Sequence, residues 1–183
     1  MFEVDGATLI VLADGAGGIG GGELAASMVV DAFRGASAFD VAANLESLDA
    51  RVAADRRAGE TTAVVVAMMG ETLWGGSAGD SEAWLFHARD HQVEQELTRR
   101  QGRKRIGSGC ARVQSFSTSG GDEPNERLLI ASDGLFKYAP YAMIRDTARI
   151  KGLDAAADAL LECARLATGR FCDDVSLFLG EWP

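Results

Sequence analysis

Proline, cysteine and histidine are all scarce in this 183-residue chain, with three, three and two copies against 22 glycines. So few prolines leave no rigid linker, while the glycines imply many tight turns. Cys110, Cys163 and Cys172 are odd in number and widely spaced, which excludes a disulfide framework and suits a reducing cytoplasm. No stretch reaches the roughly 18 consecutive apolar residues that a bilayer-crossing helix needs. The start, Met1-Phe2-Glu3-Val4-Asp5-Gly6, has no basic segment ahead of its apolar run, so it does not read as a signal peptide. Positive charge is in deficit as well. Eighteen basic against 27 acidic residues leave a net charge of -9, and the resulting field repels nucleic acid and anionic membranes. A cytoplasmic protein with neither kind of partner is expected. Nor is any Ser-His-acid or Cys-His constellation legible, since His87 and His91 only flank an expected hairpin turn.

What the chain does have is an ordinary globular mixture, 47% apolar and 25% charged, at the length of one domain spanning 1–183. Ala7 to Ala13 is a short apolar, β-branched run that reads as a buried strand. A 3.6-residue stripe from Glu23 to Arg34 predicts a helix. A second helix over about Phe39 to Arg57 carries Val41, Leu45, Leu48 and Val52 on one face. Thr61–Met69, Thr72–Ala78, Glu82–His87 and Gln92–Leu97 then alternate with turn residues, which predicts an antiparallel meander and excludes a Rossmann arrangement. Residues 98–126 read as a short, mobile, flap-like loop. Arg127–Ala131 is again a strand, helices follow over about Tyr141–Arg149 and Leu153–Thr168, and Val175–Leu179 is a last strand. Each element must bury one apolar face. Two antiparallel sheets packed together with helices outside, an α+β four-layer α-β-β-α sandwich, would do so.

The chemistry is suggested by where the carboxylates fall. Asp14 follows an apolar strand, Asp133 follows another, and Asp173-Asp174 precede a third. An isolated Asp-Gly is explained by turn chemistry alone, as at Asp5-Gly6. Three carboxylate junctions bordering apolar strands suggest more, because strand ends in such a sandwich can converge on one rim. Converging carboxylates in a desolvated cleft need a compensating cation, and hard oxygen ligands favour Mg²⁺ or Mn²⁺.

Four ordered motifs carry a resemblance: Ala13-Asp14-Gly15-Ala16-Gly17-Gly18, Gly79-Asp80-Ser81, Ser132-Asp133-Gly134-Leu135 and Asp173-Asp174-Val175-Ser176. With Glu60-Thr61-Thr62-Ala63 between the first two, the chain resembles the metal-dependent protein phosphatases (PP2C-like, or PPM, family) over residues 7–180. The resemblance implies a two-metal centre. Asp14 would bridge the ions, Gly15 would offer its carbonyl, and Asp133 and Asp173 would complete the ligands, with Asp174 in place of a usual asparagine. Asp80 matches a residue that in bacterial-type members helps hold a third, weaker ion. The implied reaction is attack on phosphorus by a water activated between the metals, so Asp14, Asp133 and Asp173 are the implied catalytic residues.

Two departures stand out. The family opens with a strand bearing an arginine and an asparagine-glutamate-aspartate motif, yet only Met1 to Val4 precede Asp5-Gly6 here. Either the true start lies upstream or the first hairpin is missing, which would expose a sheet edge open to homodimer pairing and remove the phosphate-binding arginine. Ala16 also replaces a histidine that animal members use as a general acid. Arg99, Arg100, Arg103, Lys104 and Arg105 form a basic run in an acidic chain, either a solvated face or an entrance attracting a phosphorylated protein. A bacterial-type serine/threonine protein phosphatase using two Mn²⁺ or Mg²⁺ ions, with Asp80 as the residue at which a third would bind and its presence left open, is the reading that follows. A weak or inactive relative that binds phosphopeptides, or a phosphatase of small molecules, are its alternatives.

Overall fold

The computed structural model describes residues 1–17, 20–35, 37–86, 94–119 and 126–182. Along the chain, β1 (Phe2–Val4) and β2 (Ala7–Leu12) lead to α1 (Gly22–Phe33) and α2 (Val41–Ala54). Next come β3 (Ala63–Met69), β4 (Thr72–Ala78), β5 (Glu82–Phe86) and β6 (Glu94–Glu96). The strands β7 (Gln114–Ser119) and β8 (Glu126–Ala131) precede α3 (Asp133–Phe136), α4 (Tyr141–Ala148) and α5 (Leu153–Cys163), and β9 (Leu177–Trp182) is last. The fold is α+β, with two antiparallel sheets ordered β1-β2-β3-β4-β7 and β6-β5-β8-β9. Among the described residues no helix is long and apolar enough to cross a membrane. The chain divides into two compact units, Met1–Ser81 with Thr98–Ser119, and Glu82–Leu97 with Gly120–Pro183.

In the first unit the helices cover one face of the five-stranded sheet. Ala25, Val29 and Phe33 recur every fourth residue along α1, and Val41, Leu45, Leu48 and Val52 form the stripe of α2. They pack with Leu9, Val65 and Ala67 of the sheet in one buried cluster. Each fully buried large side chain there contributes about 1.5–3 kcal/mol. α2 lies close over β4 because Gly76 has no side chain: a Cβ there would stand 3.1 Å from Leu45 Cδ1.

Three expectations change in this unit. The first hairpin is present in short form, since β1 pairs with β2 in the register Phe2↔Leu9, Glu3↔Thr8 and Val4↔Ala7. Its turn, Asp5-Gly6, has positive φ at both residues (53° and 78°), the pattern whose twist matches paired strands. The edge of this sheet is therefore β1 itself. Secondly, 98–126 contains a strand. β7 pairs with β4 from Thr72↔Ser119 to Ser77↔Gln114.

Thirdly, the stretch before β7 is stapled down. Ile106 is fully buried and exchanges two 2.9 Å backbone bonds with Thr61. The buried Asp49 carboxylate accepts from the N–H groups of Gly107, Gly109 and Ala111 at 2.8, 3.1 and 3.0 Å. Such charge-assisted bonds are worth about 1.5–3 kcal/mol each, which replaces the expected mobile flap with a fixed loop over 106–111.

The expected single meander is also corrected. β3 and β4 form a hairpin through Gly70-Glu71, but after Gly79 the chain leaves that sheet. β5 pairs with β6 and with β8 instead. In this second unit Trp84, Phe86, Leu129, Leu135, Phe136, Ile144 and Leu160 make the core under α3, α4 and α5. The Trp84 ring lies 4.6 Å from Phe136, and its indole N–H donates to Glu82 at 3.0 Å. Arg127 closes the end of α4 by donating to the carbonyls of Ala148 and Ile150, both at 2.7 Å. The expected turn at Arg89-Asp90 and the two histidines lie outside the described residues.

Candidate functional site

Asp14 leaves the end of β2 and is held by the residue that opens β3. Its backbone N–H donates to Thr62 Oγ1 at 3.2 Å, and its carbonyl accepts from the Thr62 N–H at 2.9 Å. Thr62 Oγ1 in turn shares a 2.7 Å hydrogen bond with Ser81 Oγ. Ala16 N–H donates to the Glu60 carbonyl at 2.8 Å, and Gly15 bridges to Thr61. The segment Glu60-Thr61-Thr62 is thus a clamp that fixes Asp14-Gly15-Ala16 from the side. Glycine is required at 15, because a Cβ would run into the backbone of Gly22 at the head of α1.

Asp80 follows Gly79 (φ 98°) and is engaged within this same unit. Arg105 Nη2 lies 3.0 Å from Asp80 Oδ2 and 3.3 Å from Oδ1. The basic run therefore does not act as a block. Arg99, Arg100 and Arg103 are exposed and Lys104 is half-buried, whereas Arg105 is turned to Asp80.

In the other unit, the β8–β9 ladder brings Asp133 beside Asp173-Asp174. Beyond the last strand pair, Ala131↔Leu177, Ser132 N–H donates to the Ser176 carbonyl at 2.9 Å, and Ser176 N–H donates to Ser132 Oγ at 3.1 Å. Gly134 permits the approach, since a Cβ there would collide with the carbonyl oxygen of Asp174. Asp173 Oδ1 accepts from the Asp174 N–H at 3.1 Å.

One residue that sequence reading did not single out joins this cluster. Lys137 lies four residues beyond Asp133, and its N–H donates to the Asp133 carbonyl at 2.8 Å. That spacing puts two side chains on one helix face, and it is the signal by which the residue could have been found. The Lys137 amine is raised above its usual pKa by a hydrogen bond to Tyr138 first, then by the charges of Tyr138, Asp133 and Asp173. A cavity of about 710 Å³ opens beside Asp173 and Asp174, lined also by Asp158, Glu162, Arg165 and Phe171. Arg165 is fully committed there: it donates twice to Glu162 at 2.8 Å and stacks 4.4 Å over the Phe171 ring.

Asp133 and Asp173 supply hard oxygen donors at one end of one ladder, and Asp14-Gly15 present another carboxylate with a backbone carbonyl. These donors fit Mg²⁺ or Mn²⁺ in kind. Among the described residues, no three Asp, Glu, His or Cys side chains gather closely enough for one ion to be held by all of them. Both oxygens of Asp80 face the Arg105 guanidinium. Cys110, Cys163 and Cys172 are free thiols. Cys163 is half-buried against Thr147, and the other two are exposed.

No family model matches the sequence, and no curated protein matches it. Solved structures do match. PppA, a key regulatory component of T6SS in Pseudomonas aeruginosa, superposes with a TM-score of 0.78 at 21% identity, covering 95% of this chain and 86% of that one. The S. agalactiae serine/threonine phosphatase gives 0.79 at 20% identity, covering 97% and 89%. The catalytic domain of the serine/threonine phosphatase PstP, in complex with 2 manganese ions, gives 0.73 at 20% identity, covering 93% and 85%. The chain has the fold of these proteins, two of which are serine/threonine phosphatases, as the ordered motifs led one to expect.

Proposed function

We propose that this chain is a metal-dependent serine/threonine protein phosphatase. Asp14, the Gly15 carbonyl, Asp133 and Asp173 would hold two Mn²⁺ or Mg²⁺ ions. The observation that carries the reading is the close approach of Gly134 to the Asp174 carbonyl just beyond the β8–β9 ladder, which supports Asp133 and Asp173 sharing one site. The fold shared with PstP, a phosphatase whose structure contains two manganese ions, supports the choice of metal. When bound, such ions lower the pKa of water and offset the charge of the phosphoryl oxygens.

The chain's own groups prepare that chemistry. Thr62 fixes the backbone of Asp14 through both its N–H and its carbonyl, so the carboxylate starts from one defined position. Ser132 and Ser176, bonded to each other, fix the backbone just ahead of Asp133. Lys137 keeps its proton at neutral pH and presents a positive charge beside Asp133 and Asp173, where a phosphate dianion is attracted. Arg99, Arg100, Arg103 and Lys104 add an attractive stretch to a chain of net charge -9, which favours approach of a phosphorylated protein over a bare polyanion. Arg105 is withdrawn from that role by Asp80. Free thiols at Cys110 and Cys172 support a cytoplasmic location, and the open β1 edge offers a surface for a homodimer.

A second reading is a phosphopeptide-binding regulator, favoured by a first strand that carries Phe2, Glu3 and Val4 and no arginine. Phosphate release from a phosphothreonine peptide, measured with Mn²⁺, with Mg²⁺ and with EDTA, separates the two. Turnover that requires metal and falls at least about 100-fold in Asp133→Ala is the expected result. Peptide binding without turnover, unchanged in Asp14→Asn, would replace the enzyme by the regulator.

A further inference from the structure

Asp80 and Arg105 are 25 residues apart and meet in a shielded place, with side chains only 19% and 23% exposed. A single guanidinium nitrogen straddles both carboxylate oxygens, at 3.0 and 3.3 Å. Arg105 has little freedom to leave. Its carbonyl accepts from Ser108 N–H at 3.2 Å and from Ser108 Oγ at 2.7 Å. The next residue, Ile106, is fully buried and doubly bonded to Thr61. The aliphatic stem of Arg105 rests on Gly79, where a Cβ would stand 3.3 Å from Arg105 Cγ. Gln101 N–H, from the same loop, donates to the Gly79 carbonyl at 2.8 Å. The arginine is thus anchored behind, beneath and ahead of its charged end.

We infer that Asp80 is a structural anion whose cation is Arg105, and that the place the sequence resemblance gives to a third metal is closed in this chain by a guanidinium. A divalent ion ligating Asp80 would need at least one of the same two oxygens at about 2.0–2.6 Å, and Arg105 already faces both. It would have to displace a charge that the backbone holds there, or sit against it in a partly desolvated site where like charges repel strongly. Neither occurs without freeing Arg105 from the loop. The protein accordingly binds two ions, without a weaker third, and the guanidinium supplies a permanent positive charge that no chelator removes.

The count of two rests on the functional reading above, whereas the assignment at Asp80 does not, and the two fail separately. The full chain and its Asp80→Asn variant are titrated with Mn²⁺ by calorimetry, with bound metal counted by elemental analysis. The two titrations superimpose at two ions per chain if the inference holds, and loss of one ion in Asp80→Asn overturns it. Melting temperatures in EDTA of Asp80→Asn, Arg105→Gln and the double variant form the metal-free arm. The double variant melts no lower than the worse single variant if the pair is real, and fully additive shifts overturn it. If no Mn²⁺ binds at all, the functional reading falls and the melting comparison alone decides the assignment at Asp80.

Discussion

Asp14 and Asp133 look alike in sequence, each ending an apolar strand and each followed by glycine, but they are held by different means. Asp14 depends on a side-chain hydroxyl from just ahead of β3: Thr62 Oγ1 takes its N–H and also meets Ser81. Asp133 depends on a ladder. Ser132 and Ser176 extend β8–β9 by one step, and the short helix α3 begins at once. Glycine also works differently in the two. Gly15 makes room for the head of a helix in its own neighbourhood, while Gly134 makes room for a chain segment 40 residues later, at Asp174. The same dipeptide thus serves a hydroxyl clamp in one unit and an inter-strand approach in the other, so equivalent substitutions should not have equivalent costs.

The largest effect is expected at Gly134. Gly134→Val drives a side chain into the Asp174 carbonyl and should cost about 3 kcal/mol or more. Phosphopeptide turnover should be lost, and melting temperature should drop in urea and heat alike. A variant that melts like the parent would show that the β8–β9 approach is less tight than described. Next comes the clamp. Thr62→Val keeps the shape but removes the acceptor for Asp14 N–H and the partner of Ser81, a loss of about 1–3 kcal/mol. Ser132→Ala removes the acceptor for Ser176 N–H and a long, 3.4 Å donation to the Asp174 carbonyl, and should cost about 1 kcal/mol. Denaturant unfolding of the two variants side by side tests the difference, and equal losses would erase the distinction between clamp and ladder.

A smaller, purely functional effect is expected at Lys137. Because its amine is exposed, Lys137→Gln should leave stability and Mn²⁺ affinity unchanged while raising KM for a phosphopeptide by about threefold. A fall in kcat at constant KM would assign the residue another task. The smallest effects concern two acid–arginine pairs at the surface, one in each unit, with Asp55 half-buried and Glu162 exposed. Arg57 holds Asp55 at a pKa of about 2 through its hydrogen bonds, and Arg165 lowers Glu162 in the same way. For an acid depressed in the folded state, the stabilisation is present above the unfolded value and fades as pH falls through the folded one. For Asp55 that window runs from about 3.8 down to about 2. Carboxyl NMR titration should show Asp55 losing its proton near pH 2, well below the ordinary 3.8, as the pH rises from acid. Titration at the ordinary value would sever the Asp55–Arg57 pair.

Much of this arrangement was legible before any coordinates. The stripes of α1 and α2, the strand ends at Asp14 and Asp133, and the hairpin at Gly70-Glu71 are local signals, readable from periodicity and turn residues. What escaped was non-local or polar. β7 reads Gln-Ser-Phe-Ser-Thr-Ser, whose alternation rests on one aromatic residue, so its sequence reads as loop. The switch of sheets after Gly79 leaves no mark in a pattern that only records strand after strand. Arg105 was grouped with its basic neighbours because nothing nearby in sequence says that its partner is Asp80. Lys137 shows the opposite lesson, since its spacing from Asp133 was available all along.

The loop over 107–111 has one more consequence. Its three N–H groups converge on Asp49 in the way that backbone concavities elsewhere converge on phosphate or sulfate. Here the receptor carries its own anion, tethered on α2 and buried with it. A protein proposed to handle phosphate thereby denies stray phosphate one ready-made resting place, and keeps that affinity for itself as structure.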